Sequence, residues 1–446
     1  MSAPPTPLQE ELLRLARAGD TARFLREARQ LHPSDLSDVL AELDPQVRLR
    51  LVQSLPVEVV SEALAEMEDE EHPEAVLAAL RPEQAADIVA ELQPDDAVDL
   101  IAELPPATAS GILSSVAHRA DLERLLRYDE STAGGLMTTE LVAVREDVPA
   151  AAAIEEIRRQ GEEVESLYQV YCVDEDRRLI GLLSLQRLVL APPERPVREI
   201  MEPALAVATP NLDQEEVARL MARYNVAAVP VVDAGGVLLG RVTFDDVIDV
   251  VEQESTEDLL RFGGVSGTEH LGGGWWEAAR LRLPWLFVNT VTALFAASVV
   301  WAFRDAIDAL VLLAVYMPIV AGQGGNAGTQ ALAVTVRRLA LGQIPRGHEW
   351  AVVGKELRVG AFNGLAVGTA VGLVAAFVGG TPQLGIVVTL AMWANLLVAG
   401  LVGSVVPLVL QRLGADPAVA SSIFVTPVTD ACGFLFLLGL ASWVLL

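Results

Sequence analysis

The stretch Ile423-Phe424-Val425-Thr426-Pro427-Val428-Thr429-Asp430-Ala431-Cys432-Gly433 lies in the last apolar run of the chain and carries one carboxylate, Asp430. Placing a carboxylate near the middle of a spanning helix costs roughly 2.5–3.5 kcal/mol. Asp430 is therefore expected to face water, a partner or an ion rather than lipid. Every other acid beyond Gly274 lies at or outside the edges of the apolar segments. A lone acid at membrane depth points to a cation pathway.

The net charge of −28 over 446 residues hides a partition. Residues 271–446 hold 7 acids and 9 bases, a balance of +2, which leaves −30 on residues 1–270. An acidic soluble half joined to an apolar half predicts a cytosolic module on a multi-pass membrane domain. The acidity argues against nucleic acid, whose phosphates select basic faces, and suits divalent cations, which take oxygen ligands. Met1-Ser2-Ala3-Pro4-Pro5 offers neither a basic n-region nor an apolar h-region, so no cleavable signal peptide is expected. Cys172 and Cys432 fall in different halves and read as buried thiols. No spaced Ser/His/Asp or Cys/His set is present, and His32, His72, His118, His270 and His348 are scattered. An enzyme is not expected.

Two internal repeats organise the soluble half. Over 32–116, Pro33, Pro45, Pro56, Pro82, Pro94 and Pro105 each open a stretch with apolar residues at helical spacing. Proline is tolerated in the first helical turn because its missing N–H has no intrahelical partner there. Such units should stack into a right-handed superhelical solenoid. Over 134–252, Met137-Thr138, Val170-Tyr171-Cys172-Val173-Asp174 and Leu179-Ile180-Gly181-Leu182-Leu183-Ser184 recur. The second copies are Met201-Glu202-Pro203, Val229-Pro230-Val231-Val232-Asp233 and Leu238-Leu239-Gly240-Arg241-Val242-Thr243. Each copy reads strand–helix–strand–turn–strand–helix, and the pair is similar to tandem cystathionine-β-synthase-type (CBS) domains.

An acidic segment, 247–270, with helical period links this pair to the membrane half. Gly272-Gly273-Gly274 marks a hinge, with Trp275, Trp276 and Trp285 as interfacial anchors. Apolar segments follow at 283–303, 307–320, 360–378, 386–410 and 423–446, the second running into the Gly-rich 322–330 as a possible broken helix. Arg337, Arg338, Arg346, Lys355 and Arg358 fall in one loop, which the positive-inside rule makes cytoplasmic. Five spans then place the N-terminal half in the cytosol and the C-terminus outside. The expected architecture is multi-domain. An all-α superhelical domain (1–132) precedes an α/β CBS pair (133–250, copies at about 137–200 and 201–250), a linking helix (251–275) and a five-helix transmembrane domain (276–446).

Three constellations carry chemistry. The 322–330 stretch reads either as a pore wall offering carbonyls with Asn326 and Gln330, or as close helix packing by small residues. Asp430 reads as an ion-path carboxylate with a twin across a dimer axis, as a proton-relay acid, or as a neutral carboxyl bonded to Thr426 or Asn395. On the soluble side, Asp95 and Asp99 share a helix face, and acids recur at three- and four-residue spacing through 245–258. Like charges so placed destabilise a helix by a few tenths of a kcal/mol per pair. A hydrated magnesium ion would relieve them; the alternative is an ordinary solvated face.

These parts in this order resemble the MgtE family of magnesium channels over nearly the whole chain. The most specific stretches are Ala133-Gly134-Gly135-Leu136-Met137-Thr138, Asp213-Gln214-Glu215-Glu216-Val217-Ala218-Arg219-Leu220-Met221, Gly324-Gly325-Asn326-Ala327-Gly328 and Thr429-Asp430. The resemblance implies a homodimer in the cell membrane whose pore lies between two membrane domains, with Asp430 at the conducting site. Gly324, Gly325, Asn326, Gly328 and Asn395 would line that pore. It implies magnesium sites at Glu62, Asp95, Asp99, Asp246, Asp249, Glu254 and Asp258, with the carbonyls of Gly135 and Ala222. Asn225 stands where the family pattern has Asp. The resemblance also implies ATP in the CBS pair. Thr243-Phe244-Asp245-Asp246 matches the ribose signature, whereas Ser184-Leu185-Gln186-Arg187 carries Arg where Asp belongs and counts against it. The rival readings are an ion-coupled carrier of divalent metals such as cobalt or manganese, and a membrane-anchored sensor that transports nothing.

Overall fold

Proline sets the pitch of the N-terminal helices. These are α1 (Pro7–Ala18), α2 (Thr21–Ala28), α3 (Pro33–Ala41), α4 (Pro45–Val52), α5 (Val57–Ala65), α6 (Pro73–Ala79), α7 (Pro82–Glu91), α8 (Pro94–Ala102), α9 (Pro106–Leu113) and α10 (Arg119–Leu125). Pro occupies the first turn of α1, α3, α4, α6, α7, α8 and α9. Helices two apart in sequence pack on one another, α1 on α3, α3 on α5, α5 on α7 and α7 on α9, with α6 on α8 and α8 on α10. That alternation is the stacking of a helical repeat, in which each unit completes its neighbour's core.

The computed structural model describes residues 6–67, 71–161, 164, 167–267, 269, 273–345, 347–417 and 422–445. Met1 to Pro5, His270, Gly272, Arg346 and Leu446 lie outside them. The chain divides into two units, Met1–Glu252 and Gln253–Leu446.

In the first unit the CBS-like repeat is visible residue by residue. The first copy holds β1 (Ala143–Arg145), α11 (Ala150–Gln160), β2 (Val170–Val173), β3 (Leu179–Leu183) and α12 (Leu185–Leu190). The second holds α13 (Gln214–Tyr224), β4 (Ala228–Val232), β5 (Leu238–Thr243) and the start of α14 (Phe244–Phe262). Its first strand is reduced to a parallel bridge between Ala208 and Val231. The antiparallel hairpins match in detail, pairing Cys172 with Gly181 and Val231 with Gly240, each with a bulge at the following residue. Asp174 closes its turn by accepting the N–H of Asp176 at 2.9 Å and of Arg178 at 2.8 Å. Asp233 does the same with Gly235 at 2.8 Å and Val237 at 2.9 Å. Gly181 and Gly240 are required sterically, since a Cβ would lie 2.7 Å from the Glu202 carbonyl oxygen and 2.6 Å from that of Thr138. One apolar cluster runs from the helical repeats into the second copy through Met137, Val217, Val229 and Val247, while the first copy keeps its own core around Val144, Ile157 and Leu183. The burial that joins α8 to α14 is thus continuous within this unit.

The acidic helix differs from expectation. It is not a separate element over 251–275; α14 begins as the last helix of the second copy and ends at Phe262, where Gly263 and Gly264 (φ +76°) turn the chain. Arg261 in its last turn pairs with Glu257 and Asp416, and Phe262 packs near Leu332 and Val425.

The second unit continues with α15 (Trp275–Ala302), α16 (Arg304–Ala309), α17 (Leu312–Ala340), α18 (Glu349–Gly379), α19 (Pro382–Arg412) and α20 (Ser422–Val444). Four of these helices are long and apolar enough to cross a membrane, namely α15, α18, α19 and the 423–444 part of α20. The expected span at 307–320 is instead divided between the short α16 and the start of α17. Nor is 322–330 broken, because α17 runs through it as one helix of 29 residues. Its backbone groups are satisfied within the helix, so they do not form a wall of free carbonyls. Arg337 and Arg338 close α17, while Lys355 and Arg358 belong to α18, so the basic residues flank a short connection rather than filling a loop.

Small residues set how closely these helices pack. On α18, Gly360, Gly364, Gly368 and Gly372 recur at every fourth position and are buried against α19. A Cβ at Gly372 would lie 2.6 Å from the Gly385 carbonyl oxygen. In lipid, where the hydrophobic effect gives helices no reason to associate, this proximity supplies van der Waals contact.

Candidate functional site

On the soluble side the site is built where α8 meets α14. Asp95 sits in the first turn of α8, after Pro94, and is 6 % exposed. Its Oδ1 is buried with no hydrogen-bond partner among the described residues. Burial pushes its carboxyl well above the usual carboxylate range, and the neighbouring charges of Asp96, Asp246 and Asp99 push it further. Asp246, in the first turn of α14, is partly buried and accepts the hydroxyl proton of Thr243. Its carboxyl is raised to about 6, chiefly by burial. Two carboxylates facing each other with an unpaired buried oxygen is an unfavourable arrangement unless a proton or a cation lies between them.

The donor chemistry fits magnesium. That ion keeps several waters and takes one or two carboxylates. Among the described residues no group of three or more Asp, Glu, His or Cys side chains is placed to hold an ion. Asp99 and Asp249 are exposed neighbours of the pair, and Glu254 and Asp258 are partly exposed further along α14. Glu62 is exposed on α5 and is not among the charges that press on Asp95. Gly135 is buried, its N–H bonded to the Thr132 carbonyl at 3.0 Å, and a Cβ there would lie 2.6 Å from the Asp129 carbonyl oxygen. Ala222 and Asn225 are exposed at the end of α13. Asn225 adopts a left-handed conformation (φ 52°) and ends that helix by donating its N–H to the Met221 carbonyl. Asn is well suited to that geometry.

A pH dependence follows. Both carboxyls are raised in the folded state, so the stability they contribute is present below about pH 4 and is lost as pH rises through about 6, the Asp246 value. In magnesium-free buffer the thermal midpoint of the soluble unit should therefore rise between pH 7.5 and 5.5. Asp95→Asn should raise the midpoint at pH 7.5 and flatten the profile. A wild-type midpoint that falls over this range contradicts the assignment.

In the first CBS copy, Arg187 is ion-paired with Glu202. A cavity of about 290 Å³ lies beside Leu179, Ile180, Pro203 and Val207. In the second copy the two residues of the ribose signature, Thr243 and Asp246, are bonded to each other. The Cys172 thiol is buried and pushed up to about 12, as suits an inert core residue.

In the apolar unit Asp430 is partly buried and opens onto a cavity of about 500 Å³ between α15, α16 and α20. Asn395, expected to line a pore, is instead wholly buried, and its Nδ2 donates to the Val320 carbonyl at 2.9 Å. Gly324 makes room for it, since a Cβ there would lie 2.2 Å from that nitrogen. Gly325 and Gly328 are likewise buried, so small-residue packing describes these glycines. Asn326 is exposed, and with Gln323 and Gln330 it forms a polar stripe along the open face of α17. Two further acids escape a reading by sequence. Asp308 on α16 lines the same cavity as Asp430, and Glu356 is buried because α18 starts eleven residues before the apolar run. Only the mid-span position of Asp430 is visible in hydropathy.

Known proteins give the same outline. The profile described as a divalent cation transporter, MgtE, matches residues 317–440; that of the MgtE intracellular N domain matches 31–131, and that of the CBS domain matches 133–194 and 197–253. The chain is 38 % identical over 459 aligned positions to the magnesium transporter MgtE of Thermus thermophilus, covering 98 % of each protein. It is 31 % identical to the Bacillus subtilis magnesium transporter MgtE, covering 96 % of this chain and 95 % of that one. Among solved structures, the cytosolic domain of the Mg2+ channel MgtE in complex with ATP matches with a TM-score of 0.52 at 38 % identity, over 54 % of this chain and 99 % of that one. The soluble part of a magnesium transporter also matches with a TM-score of 0.52, at 31 % identity, over 56 % of this chain and 98 % of that one. With relatives matched end to end, the chain belongs to the MgtE family of divalent cation transporters.

Proposed function

We propose that this protein is a magnesium channel of the cell membrane that imports Mg2+ and closes when cytosolic Mg2+ is abundant. The observation that carries the gating is the buried Asp95 carboxylate opposed to Asp246, an arrangement that needs positive charge to be stable. Asp95 and Asp246 would hold a hydrated magnesium ion between α8 and α14, and the bound ion supplies charge neutralisation. Without it the two carboxylates repel, and α14, which carries Asp246 in its first turn and Arg261 in its last, is released to let the pore open. Asp99, Asp249, Glu254 and Asp258 extend the acidic face along the same path, and Glu62, Gly135, Ala222 and Asn225 are candidates for outlying sites. Moving such an equilibrium from 1:99 to 99:1 takes roughly 5.5 kcal/mol of differential binding, which several weak sites together supply.

In this reading α17 is a fifth span, and its stripe of Gln323, Asn326 and Gln330 faces a second copy across a homodimeric pore. A polar stripe on a long membrane helix is disfavoured against lipid and favoured against water or a partner. The basic residues flanking the α17–α18 connection put that end, and the soluble unit, in the cytoplasm and the C-terminus outside. ATP in the CBS pair is a secondary expectation, supported by the ATP complex of the related cytosolic domain and opposed by Arg187.

The test is patch recording with graded cytosolic Mg2+ on the wild type and on Asp246→Ala. The variant should need about tenfold more magnesium to close. If both close at the same concentration, the sensing assignment fails.

A further inference from the structure

We infer that Asp308 is the entry carboxylate of the ion path, drawing a hydrated divalent cation into the cavity that Asp430 floors; this rests on the channel reading above. Asp308 lies on α16, at the far end of α15 from the linking helix, and it lines the same cavity of about 500 Å³ as Asp430. The wall between them on α15 is Ala293, Ala296, Ala297 and Val300, which provides width without competing ligands. Six waters at about 30 Å³ each make a hydrated magnesium ion roughly 180 Å³, so the cavity admits the ion with its shell intact.

The charges at the rim are asymmetric. Arg304 also lines the cavity, but its Nε lies 3.4 Å from Asp305 and its guanidinium lies 5.4 Å from the centre of the Trp301 ring. That cation is balanced by Asp305. Asp308 is exposed, and nothing among the described residues pairs with its carboxylate. The mouth is therefore net negative, and a cleft with low-dielectric walls raises the local concentration of counter-ions. Asp308 touches the ion's water shell and hands it on; the binding group proper is Asp430.

The experiment is single-channel conductance against external Mg2+ for the wild type, Asp308→Asn and Asp308→Glu, at low and at physiological ionic strength. Asp308→Asn should lower conductance roughly 3- to 10-fold at sub-saturating Mg2+ and approach wild type at saturation. The deficit should shrink in salt, because the screening length falls from about 30 to about 8 Å. Asp308→Glu should restore the wild-type curve, and the cytosolic Mg2+ that closes the channel should not move. As a check on folding, Asp308→Cys should regain conductance with a sulfonate-bearing thiol reagent and not with an ammonium-bearing one. Superimposable wild-type and Asp308→Asn curves overturn the inference, as does a loss that is equal at every Mg2+ and salt concentration. Asp430→Asn run in parallel separates the failures. If it conducts like wild type, the channel reading itself is wrong; if it is silent while Asp308→Asn is unchanged, only the entry role is wrong.

Discussion

Asp430→Ala should reduce magnesium flux by about a hundredfold or more while making the protein more stable. The two signs have one cause. A carboxylate near the middle of a spanning helix costs roughly 2.5–3.5 kcal/mol, and alanine removes that cost. The same carboxylate is the mid-depth charge that can compensate a hydrated divalent cation for leaving bulk water. At an effective dielectric constant near 20, a pair of unit charges about 4 Å apart interacts by about 4 kcal/mol. A net loss of about 2.7 kcal/mol already corresponds to a hundredfold in rate. Uptake into proteoliposomes, followed with a magnesium-sensitive dye, measures the first effect, and the thermal midpoint in detergent measures the second. Asp430→Glu, which keeps the charge and moves it by one methylene, should retain more flux than Asp430→Ala. If Asp430→Ala transports like wild type, the cavity it lines is not the ion path.

Gly403→Val should be the most disruptive small substitution in the apolar unit. A Cβ at Gly403 would lie 2.4 Å from the Gly328 carbonyl oxygen, 2.9 Å from the Ala331 Cβ and 3.1 Å from the Leu332 nitrogen. Two of these obstacles are backbone atoms of α17, so no side-chain rotation relieves the clash and the helices must separate. Overpacking typically costs 1–3 kcal/mol, and valine adds two further methyl groups to the obstructed site. The expected result is a thermal midpoint lowered by several degrees. Transport should also be impaired, because α17 carries the Gln323, Asn326 and Gln330 stripe. Gly322→Ala is the internal control. Nothing lies within 4 Å of its added Cβ, and replacing an exposed helical Gly by Ala is favourable by up to about 1 kcal/mol. Equal midpoints for the two variants would remove close α17–α19 packing as a determinant of this unit.

Much of this architecture is written locally. Proline at the start of successive helices, the Asp174 and Asp233 turns and the paired bulges after Cys172 and Val231 follow from short-range backbone chemistry, which a repeat displays twice. The division into an acidic and an apolar half follows from composition, and the singularity of Asp430 from hydropathy. The Gly-rich 322–330 misleads for an equally physical reason. Glycine lowers helix propensity by about 1 kcal/mol per residue, yet Asn395 and Val425 occupy the space that side chains there would fill.

Domain order, the membrane half, the family resemblance and the acids available for cation binding are all legible in the residues alone, since each rests on residue type at short spacing. Which acids act together depends on packing. Asp95 and Asp99 look equivalent in sequence, but the fold buries the first beside Asp246 and leaves the second in solvent. Asp308 reads as the edge of a span, and only the turn at α16 brings it to the cavity of Asp430. Burial and the field of distant residues are set by packing, and they decide which carboxylate is costly enough to need a cation.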